Sequence, residues 1–530
     1  MSSADSPSVI AQEERIHDQE SIEKKDVSPK SEHPGQSDQV IDAETPSPSK
    51  KGGLGPVALI FACGAALFSD GYVNANSGPT GVILAQIKPY GQDPNVDFSY
   101  FKKLYSSMAF AGTVVGMLLF GVLSDRIGRK FGMIFASLWL TLWSVLIAGA
   151  YGAGGSVKGL FAALEAYRFI IGIAIGAEYP AGSVACSENT EAKDVNGGRQ
   201  QMYFIMATNT MIDLGFVAAN LVALIMFQIF GKNHLEWVWR MTLGLGAIPP
   251  LVVFFFRTKM SETSAYKRGA IKRNVPWLLI MRKYWVRLLA VCLAWFIYDY
   301  VSYPAGLYSG YFVDKIVPDD TDLTKVLGWS TLINAFYLPG TIIGAFVSDR
   351  LGPKNTMIIG LVCQCAIGFG LAGGFGSLKN NLPGIVILYG IYVAFGEFGP
   401  GNNLGLLASK AVAPSAVRGT FYGIAAAIGK IGAFTGSYVY TQIQQDLAPE
   451  GDSNNLYYSG PFYIGSGLAV VSALITFFFI PAVTKDGMQK IDREFEEYLA
   501  ANGYDMSNMG LIETHEKEQM EADNAEKASH

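Results

Sequence analysis

The chain has 530 residues, of which 50% are hydrophobic and 16% are charged, with a mean hydropathy of +0.26. Soluble proteins carry about 25% charged residues, so this composition argues against a soluble globular protein and favours a membrane protein. The formal net charge of −5 says little, because the acidic excess lies in the tails. We expect a lipid membrane as surroundings and no nucleic-acid partner.

The N-terminal segment, residues 1–53, is expected to be a disordered cytosolic tail. Residues 1–50 are rich in Ser, Glu, Asp, Lys and Pro and contain almost no large apolar side chains. Such segments cannot bury enough apolar surface to fold. The first apolar run begins near Leu54 and is too long for a cleaved signal sequence, so we expect no signal peptide.

Apolar runs of about 20 residues, the length that crosses a bilayer, occur twelve times. The sequence therefore predicts an all-α membrane protein with twelve transmembrane helices. The predicted spans lie at about 55–85, 101–123, 131–152, 160–183, 199–228, 237–256, 285–312, 328–348, 355–376, 384–407, 418–442 and 459–483.

A basic segment separates the sixth and seventh spans and predicts the orientation of the chain. Positive charge marks the cytosolic side, and an even number of spans then places both termini in the cytosol. The basic residues are Lys259, Lys267, Arg268, Lys272, Arg273 and Arg282. The predicted organisation is an N-terminal half at 54–256, a basic cytosolic linker at 257–284, a C-terminal half at 285–483 and a cytosolic tail at 484–530.

Two short stretches, 224 residues apart, have the same pattern. Gly-Val-Leu-Ser-Asp125-Arg126-Ile-Gly-Arg129-Lys follows the second span, and Gly-Ala-Phe-Val-Ser-Asp349-Arg350-Leu-Gly-Pro-Lys follows the eighth. The aspartate can accept hydrogen bonds from a neighbouring helix end, and the basic residues can anchor the inner face. We assign these five numbered residues a gating or structural role rather than substrate contact.

The repeated motif resembles the hallmark of the major facilitator superfamily. The resemblance covers roughly residues 54–483 and implies two six-helix halves joined by a basic loop. The sequence contains no nucleotide-binding loop, so we expect no coupling to ATP.

Span one carries a polar stripe on an otherwise apolar helix. Asp70, Asn74 and Ser77 are spaced i, i+4, i+7 and share one face. A buried carboxylate there can carry a proton, which makes Asp70 a candidate for proton coupling. The alternative is a structural hydrogen bond that ties span one to a neighbour.

Span four combines an arginine, a carboxylate and a proline in one apolar run. Arg168, Gly172 and Gly176 follow an i, i+4, i+8 pattern, which lets another helix approach closely on the side of the arginine. We assign Arg168 to packing and gating. Glu178, two residues before Pro180, is a candidate for proton coupling, and the alternative is a fixed ion pair with a cation.

Span seven places an acid between two aromatic residues on one face. Trp295, Asp299 and Tyr303 are spaced i, i+4, i+8. An indole N–H and a phenol hydroxyl beside a carboxylate suit a polar substrate. Aromatic residues alone would more often indicate helix packing, so the carboxylate between them favours a binding site.

Spans ten, eleven and five hold further polar residues. Lys430 is a lone cation among small residues and could bind an anionic substrate, or it could pair with Glu397 or another acid. In span five, Asn209 and Asp213 are spaced i, i+4, and Asn209 is a candidate substrate ligand. Asp213 could bind or could pack beside a cation.

Cysteine and histidine give no sign of a cofactor, metal site or enzyme. The five cysteines all lie in or beside apolar spans, with no metal-binding spacing, and the five histidines lie in tails or a loop. The spans hold no Ser/His/Asp set. A proton carried inside the membrane must therefore use a carboxylate.

Longer stretches resemble the phosphate:proton symporters of fungi and plants and, more closely, the fungal glycerophosphodiester permeases. The stretches that look like the phosphate symporters include Glu178-Tyr-Pro, Asp299 with Tyr303, and Gly-Lys430-Ile-Gly-Ala. Those closer to the glycerophosphodiester permeases include Gly-Ala-Glu-Tyr-Pro at 176–180, Ala-Trp-Phe-Ile-Tyr-Asp at 294–299 and Gly-Pro-Gly at 399–401. The phosphate symporters have Asp where this chain has Glu178, Gln where it has Asn209, and no equivalent of Gly401. The resemblance implies binding or coupling roles for Asp70, Glu178, Trp295, Asp299, Tyr303 and Lys430, and for Asn402 after a one-residue shift.

We therefore expect a plasma-membrane transporter that imports a glycerophosphodiester anion, glycerophosphoinositol or glycerophosphocholine, together with protons. The alternatives are an inorganic phosphate:proton symporter and, less favoured, a nutrient sensor that signals through its tails. The C-terminal tail has an amphipathic pattern at Ile491, Phe495, Tyr498 and Leu499. Its helix could lie on the inner face or remain solvated.

Overall fold

The computed structural model describes residues 55–505 and residue 509, except for residue 89 and residues 93–96, 193–194, 272–274, 317–322, 449–454 and 484–485. The predicted disordered tail lies outside the described residues. The described part is almost entirely helical, with one isolated antiparallel bridge between Ile271 and Met509.

Six long helices form the first part of the described bundle, and each is long and apolar enough to cross a membrane. They coincide with the first six predicted spans. Their bounds are α1 Pro56–Gln86, α2 Phe98–Arg126, α3 Arg129–Ala148, α4 Val157–Thr190, α5 Gln200–Phe230 and α6 Lys232–Thr258.

Six more helices follow, after a short helix at Ser264–Gly269. Five of them are also apolar enough to cross a membrane, and the remaining one, α11, coincides with the predicted eleventh span. Their bounds are α7 Trp277–Leu307, α8 Leu323–Leu351, α9 Pro353–Leu378, α10 Leu382–Lys410, α11 Arg418–Leu447 and α12 Leu456–Phe479. A short helix at Ser309–Ile316 continues from α7.

Helix α11 is less apolar than the other eleven helices of membrane-spanning length, and it packs between α2 and α7. Gly423 faces the Met117 carbonyl of α2, and Gly432 faces the Phe296 carbonyl of α7. A methyl group at either glycine would overlap those backbone atoms. Small residues therefore let α11 lie close to both neighbours, as in other tightly packed membrane helices.

Helices α4 and α10 contain the same irregularity in the two halves of the chain. Each has one π-helical turn, Tyr179–Ser183 in α4 and Glu397–Gly401 in α10. Each turn contains a proline, which cannot donate a backbone hydrogen bond and disturbs the helix. Single π-helical turns are frequent at functional sites. The equivalent turns support an internal repeat and re-aim side chains near the centre of each helix.

Helix α1 is interrupted at Asn76, and Arg168 of α4 lies against the interruption. The Arg168 guanidinium is fully buried and donates hydrogen bonds to the Val73 carbonyl and to Asn76 Oδ1, the latter at 3.0 Å. Gly172 and Gly176 lie directly against the α2 backbone, as their spacing predicts. Carbonyl and amide oxygens therefore compensate the arginine charge, which suits the packing role predicted for it.

A final helix, α13, spans Gly487–Ala501 and covers the amphipathic pattern of the C-terminal tail. Its apolar face is buried at Met488, Ile491, Phe495 and Leu499. The Phe495 ring lies 6.3 Å from that of Tyr284 on α7, and Lys283 donates to the Glu494 carbonyl at 2.6 Å. The helix is docked on the bundle in this structure rather than solvated.

Candidate functional site

A cavity of about 640 Å³ lies between helices of the two halves. Side chains from α1, α4, α5, α7, α8, α10 and α11 line it. All six residues predicted to bind substrate are among them: Asn209, Trp295, Asp299, Tyr303, Asn402 and Lys430. The residues that face one another here come from distant parts of the chain.

Lys430 is the one basic residue among the described side chains that line this cavity. Its ammonium lies 3.2 Å from Asp299 Oδ2 and donates a hydrogen bond to the Tyr303 hydroxyl. The same nitrogen lies 5.1 Å from the ring centre of Tyr179. Lys430 is therefore paired with an acid, as the alternative interpretation expected, and the acid is Asp299. A buried ammonium with a single carboxylate partner is a suitable site for an incoming anion.

Asp70 lies behind the cavity wall and does not line the cavity. Its two carboxylate oxygens accept hydrogen bonds from the Tyr179 hydroxyl and the Asn74 amide, each at 2.5 Å. Tyr179, which does line the cavity, therefore connects Asp70 to the surroundings of Lys430. This connecting role of Tyr179 could not be predicted from the Glu-Tyr-Pro run, because the sequence does not show which way the tyrosine hydroxyl points.

A second cluster of polar side chains lies on the α5 and α10 side of the cavity. The Asn209 amide donates to Glu397 Oε2 at 2.9 Å and to Asn402 Oδ1 at 3.0 Å. Asp213 Oδ2 lies 3.4 Å from the same amide nitrogen, and the Tyr298 hydroxyl donates to Glu397 Oε1 at 2.5 Å. Asn209 thus links helices from the two halves.

Glu178 does not line the cavity but forms a buried ion pair with Arg257 at the end of α6. Both side chains are fully buried, and the guanidinium holds both carboxylate oxygens, one of them at 2.6 Å. Arg257 also donates to the Cys63 carbonyl at 2.7 Å and the Met133 carbonyl at 2.9 Å. Arg257 lies at the first position of the linker that the sequence predicts, but its side chain is an interior one of the helix bundle. The proton-coupling role of Glu178 stays a prediction.

We expect Arg257→Met to lower stability by about 3–5 kcal/mol, because it leaves Glu178 charged, buried and unpaired. The double variant Arg257→Met/Glu178→Gln should recover part of this loss, since it removes the orphaned charge. The measurement is the thermal midpoint of the purified protein in detergent. A Glu178→Gln variant with unchanged midpoint but proton-independent uptake would instead support a proton-coupling role.

A network of charges, which we call the motif-end network, joins the two halves beside the first repeated motif. Asp125 accepts hydrogen bonds from the backbone N–H groups of Gly419 and Thr420, at 2.9 and 2.6 Å, where α11 begins. It also accepts a hydrogen bond from the Thr420 hydroxyl at 2.7 Å and forms an ion pair with Arg129 at 2.9 Å. A carboxylate at a helix N-terminus is favourably placed against the helix dipole.

The second motif copy makes the reciprocal contact. Asp349 at the end of α8 accepts hydrogen bonds from the N–H groups of Gln201 and Met202, at 2.9 and 3.2 Å, where α5 begins. Each half therefore caps one helix of the other half with a motif aspartate. Arg126 and Arg350 are exposed. The gating roles of all these residues remain predictions.

Glu188 and Asp492 extend the motif-end network to α13. Glu188 Oε1 lies 3.2 Å from Arg129 and 3.5 Å from Arg418, so it bridges two basic residues from different halves. Asp492 of α13 accepts hydrogen bonds from the Ser415 N–H and hydroxyl, both at 2.6 Å. Nearby, burial raises the pKa of Glu191, and the Lys410 ammonium at 3.7 Å counteracts this rise.

Residues 65–437 match the model of the Major Facilitator Superfamily. The chain belongs to the major facilitator superfamily. It is 46% identical to the glycerophosphocholine permease GIT4 of Candida albicans, over 85% of this chain and 83% of that protein. It is 43% identical to the major glycerophosphoinositol permease GIT3 of the same organism, over 88% of this chain and 86% of that protein. The resemblance to fungal glycerophosphodiester permeases is confirmed.

More distant relatives of this major facilitator protein include the inorganic phosphate transporter PT2 of Toxoplasma gondii, 26% identical over 80% of this chain and 72% of that protein. Among solved structures, the proton:xylose symporter XylE bound to 6-bromo-6-deoxy-D-glucose superposes with a TM-score of 0.69. That match has 19% identity and covers 83% of this chain and 98% of XylE. It confirms the fold. The chain is a multi-pass membrane transporter, and its similar relatives are named permeases, not enzymes.

Proposed function

We propose that this protein imports a glycerophosphodiester across the plasma membrane together with protons, by alternating access. The observation that carries the proposal is the buried Lys430, which lies in a cavity shared by the two halves. The two Candida albicans relatives at 46% and 43% identity, a glycerophosphocholine permease and a glycerophosphoinositol permease, support the substrate class. The basic linker supports an orientation with both termini in the cytosol.

In this proposal, the phosphodiester anion binds at Lys430. The Tyr303 hydroxyl already lies within hydrogen-bond distance of the ammonium and can donate to a phosphate oxygen. The indole of Trp295 and the amides of Asn209 and Asn402 provide hydrogen bonds for hydroxyl groups of the substrate. The lysine attracts the anion, and the surrounding polar groups orient it.

Proton coupling follows from the ion pair between Lys430 and Asp299. When a phosphodiester takes the ammonium as its partner, Asp299 loses its compensating charge inside a buried site. A buried, unpaired carboxylate is neutralised most readily by binding a proton. Asp70, hydrogen-bonded to Tyr179 beside the same lysine, is a second acceptor. Glu178 is a third candidate, although its partner is Arg257.

Alternating access requires one end of the cavity to close while the other opens. We assign the motif-end network to the cytosolic end, because the basic linker lies beside it. Asp125 and Asp349 hold the two halves together there, and these contacts must break before substrate is released inward. While the motif-end network is intact, the cytosolic end is closed and substrate enters the cavity from the opposite, extracellular end.

The test is uptake of labelled glycerophosphocholine, glycerophosphoinositol and inorganic phosphate by cells that express the protein, each with and without a protonophore. We expect diester uptake that the protonophore abolishes. Phosphate uptake without diester uptake, in a correctly inserted protein, would favour the inorganic phosphate alternative that the distant relatives represent. Diester uptake that the protonophore leaves unchanged would overturn proton coupling alone.

A further inference from the structure

The charges that line the cavity do not balance for a simple anion. Among the described lining residues there is one cation, Lys430, and there are three carboxylates, Asp213, Asp299 and Glu397. Lys430 is paired with Asp299. Within the described part of the chain, neither Asp213 nor Glu397 forms an ion pair. Asp213 and Glu397 lie beside the same Asn209 amide, and two carboxylates that share a buried site hold one proton between them. One negative charge then remains on the α5 and α10 side, where an anionic substrate supplies no partner for it.

Glu397 is held in place rather than free to turn away from the cavity. The residue is 5% exposed, and its carboxylate accepts hydrogen bonds from Tyr298 and Asn209. Gly401 leaves the space that this carboxylate fills, because a methyl group there would overlap Glu397 Oε2 and lie 2.6 Å from Tyr298 Oη. The extra glycine that distinguishes this chain from the phosphate symporters thus accommodates an oriented carboxylate.

Aromatic side chains line the cavity between the two polar groups. The Phe216 ring packs edge-to-face against Tyr303 at 5.9 Å and against Tyr337 at 5.7 Å. Tyr298 lines the same cavity. A quaternary ammonium is bound favourably by aromatic rings, and a nearby carboxylate adds attraction for the positive charge.

From these observations we propose that Glu397 selects a diester whose head group is cationic, so that the phosphate binds at Lys430 and a quaternary ammonium such as choline binds beside Glu397. This inference rests on the proposed function and specifies its substrate. The names of the relatives do not choose between head groups, since one is a glycerophosphocholine permease and another a glycerophosphoinositol permease. The negative charge beside Glu397 favours the cationic choline head group over the uncharged inositol.

The experiment compares three labelled substrates: glycerophosphocholine, its isostere in which carbon replaces the choline nitrogen, and glycerophosphoinositol. We expect the wild type to take up the choline diester about tenfold more efficiently than the uncharged isostere. Glu397→Gln should abolish that preference, because glycerophosphocholine uptake should fall about tenfold more than uptake of the isostere and of glycerophosphoinositol. Retained uptake of the latter two shows that the variant is folded.

The matched control is Glu165→Gln, which removes a half-buried carboxylate of α4 that does not line the cavity and should leave the substrate order unchanged. Gly401→Ala, which crowds the Glu397 carboxylate, should weaken the preference for choline as well and serves if Glu397→Gln fails to reach the membrane. Equal changes for choline diester and isostere, or no preference in the wild type, would overturn the inference. A wild type that carries no diester would instead overturn the proposed function.

Discussion

Lys430→Met is expected to reduce diester uptake by at least about a hundredfold in kcat/KM. The substitution keeps the length and apolar character of the side chain but removes the basic residue that lines the described cavity. It also leaves Asp299 without its ion-pair partner. Truncating one partner of a buried, hydrogen-bonded charge pair in a binding site costs about 2–5 kcal/mol of binding free energy, and a hundredfold loss corresponds to about 2.8 kcal/mol. The measurement is initial uptake rate against substrate concentration, normalised to the amount of protein at the cell surface.

Lys430→Arg is the matched control, because it keeps the charge while replacing a compact ammonium with a planar guanidinium. We expect an intermediate loss, since the arginine retains attraction for the anion but is larger beside Tyr303 and Asp299. A Lys430→Met protein with normal affinity for the diester would show that the anion binds elsewhere. Because uptake is divided by the amount of protein at the cell surface, a variant that is merely poorly expressed is not mistaken for one that transports poorly.

Asp125→Asn is expected to weaken the closure of the motif end by about 2–4 kcal/mol. The carboxylate accepts three hydrogen bonds from Gly419 and Thr420 and pairs with Arg129. Hydrogen bonds to charged groups contribute about 1.5–3 kcal/mol each, and a neutral amide keeps only part of this. A loss of this size shifts a two-state equilibrium by more than about tenfold. Uptake should fall, because fewer molecules are then closed at the motif end and open to substrate on the other side.

The change in population can be measured by electron spin resonance. Spin labels on cysteines introduced at Ile127 and Leu351, which are 54% and 49% exposed, report the distance between the two halves at the motif end. The Asp125→Asn protein should show a larger share of long distances than the parent. Asp349→Asn is the matched variant and should act in the same direction but less strongly, because Asp349 accepts two backbone hydrogen bonds. Unchanged distances in both variants would argue against a gating role.

Much of this architecture can be read from residue order, because its causes are local. Twelve apolar runs have the length that a bilayer requires, and the repeated Ser-Asp-Arg motif shows that one unit occurs twice. Polar residues inside such runs are conspicuous, since uncompensated charge in a membrane is unfavourable. For this reason Lys430, Asp299 and Asn209 could be selected as cavity residues from sequence, and the structure brings them to one cavity.

The partners of those residues could not be predicted from the order of residues. Glu178 pairs with an arginine 79 residues away, and Asp125 accepts a hydrogen bond from the N–H group of Gly419, 294 residues later in the chain. The orientation of Glu397 depends on Tyr298 and on the space at Gly401. Hydrogen bonds and ion pairs act over a few ångströms, so which groups are satisfied depends on how the helices pack. The sequence therefore shows which charges lie inside apolar runs. The packing of the helices decides whether charges at the ends of those runs, such as Arg257, are buried, and which charges are neutralised or remain available to a substrate.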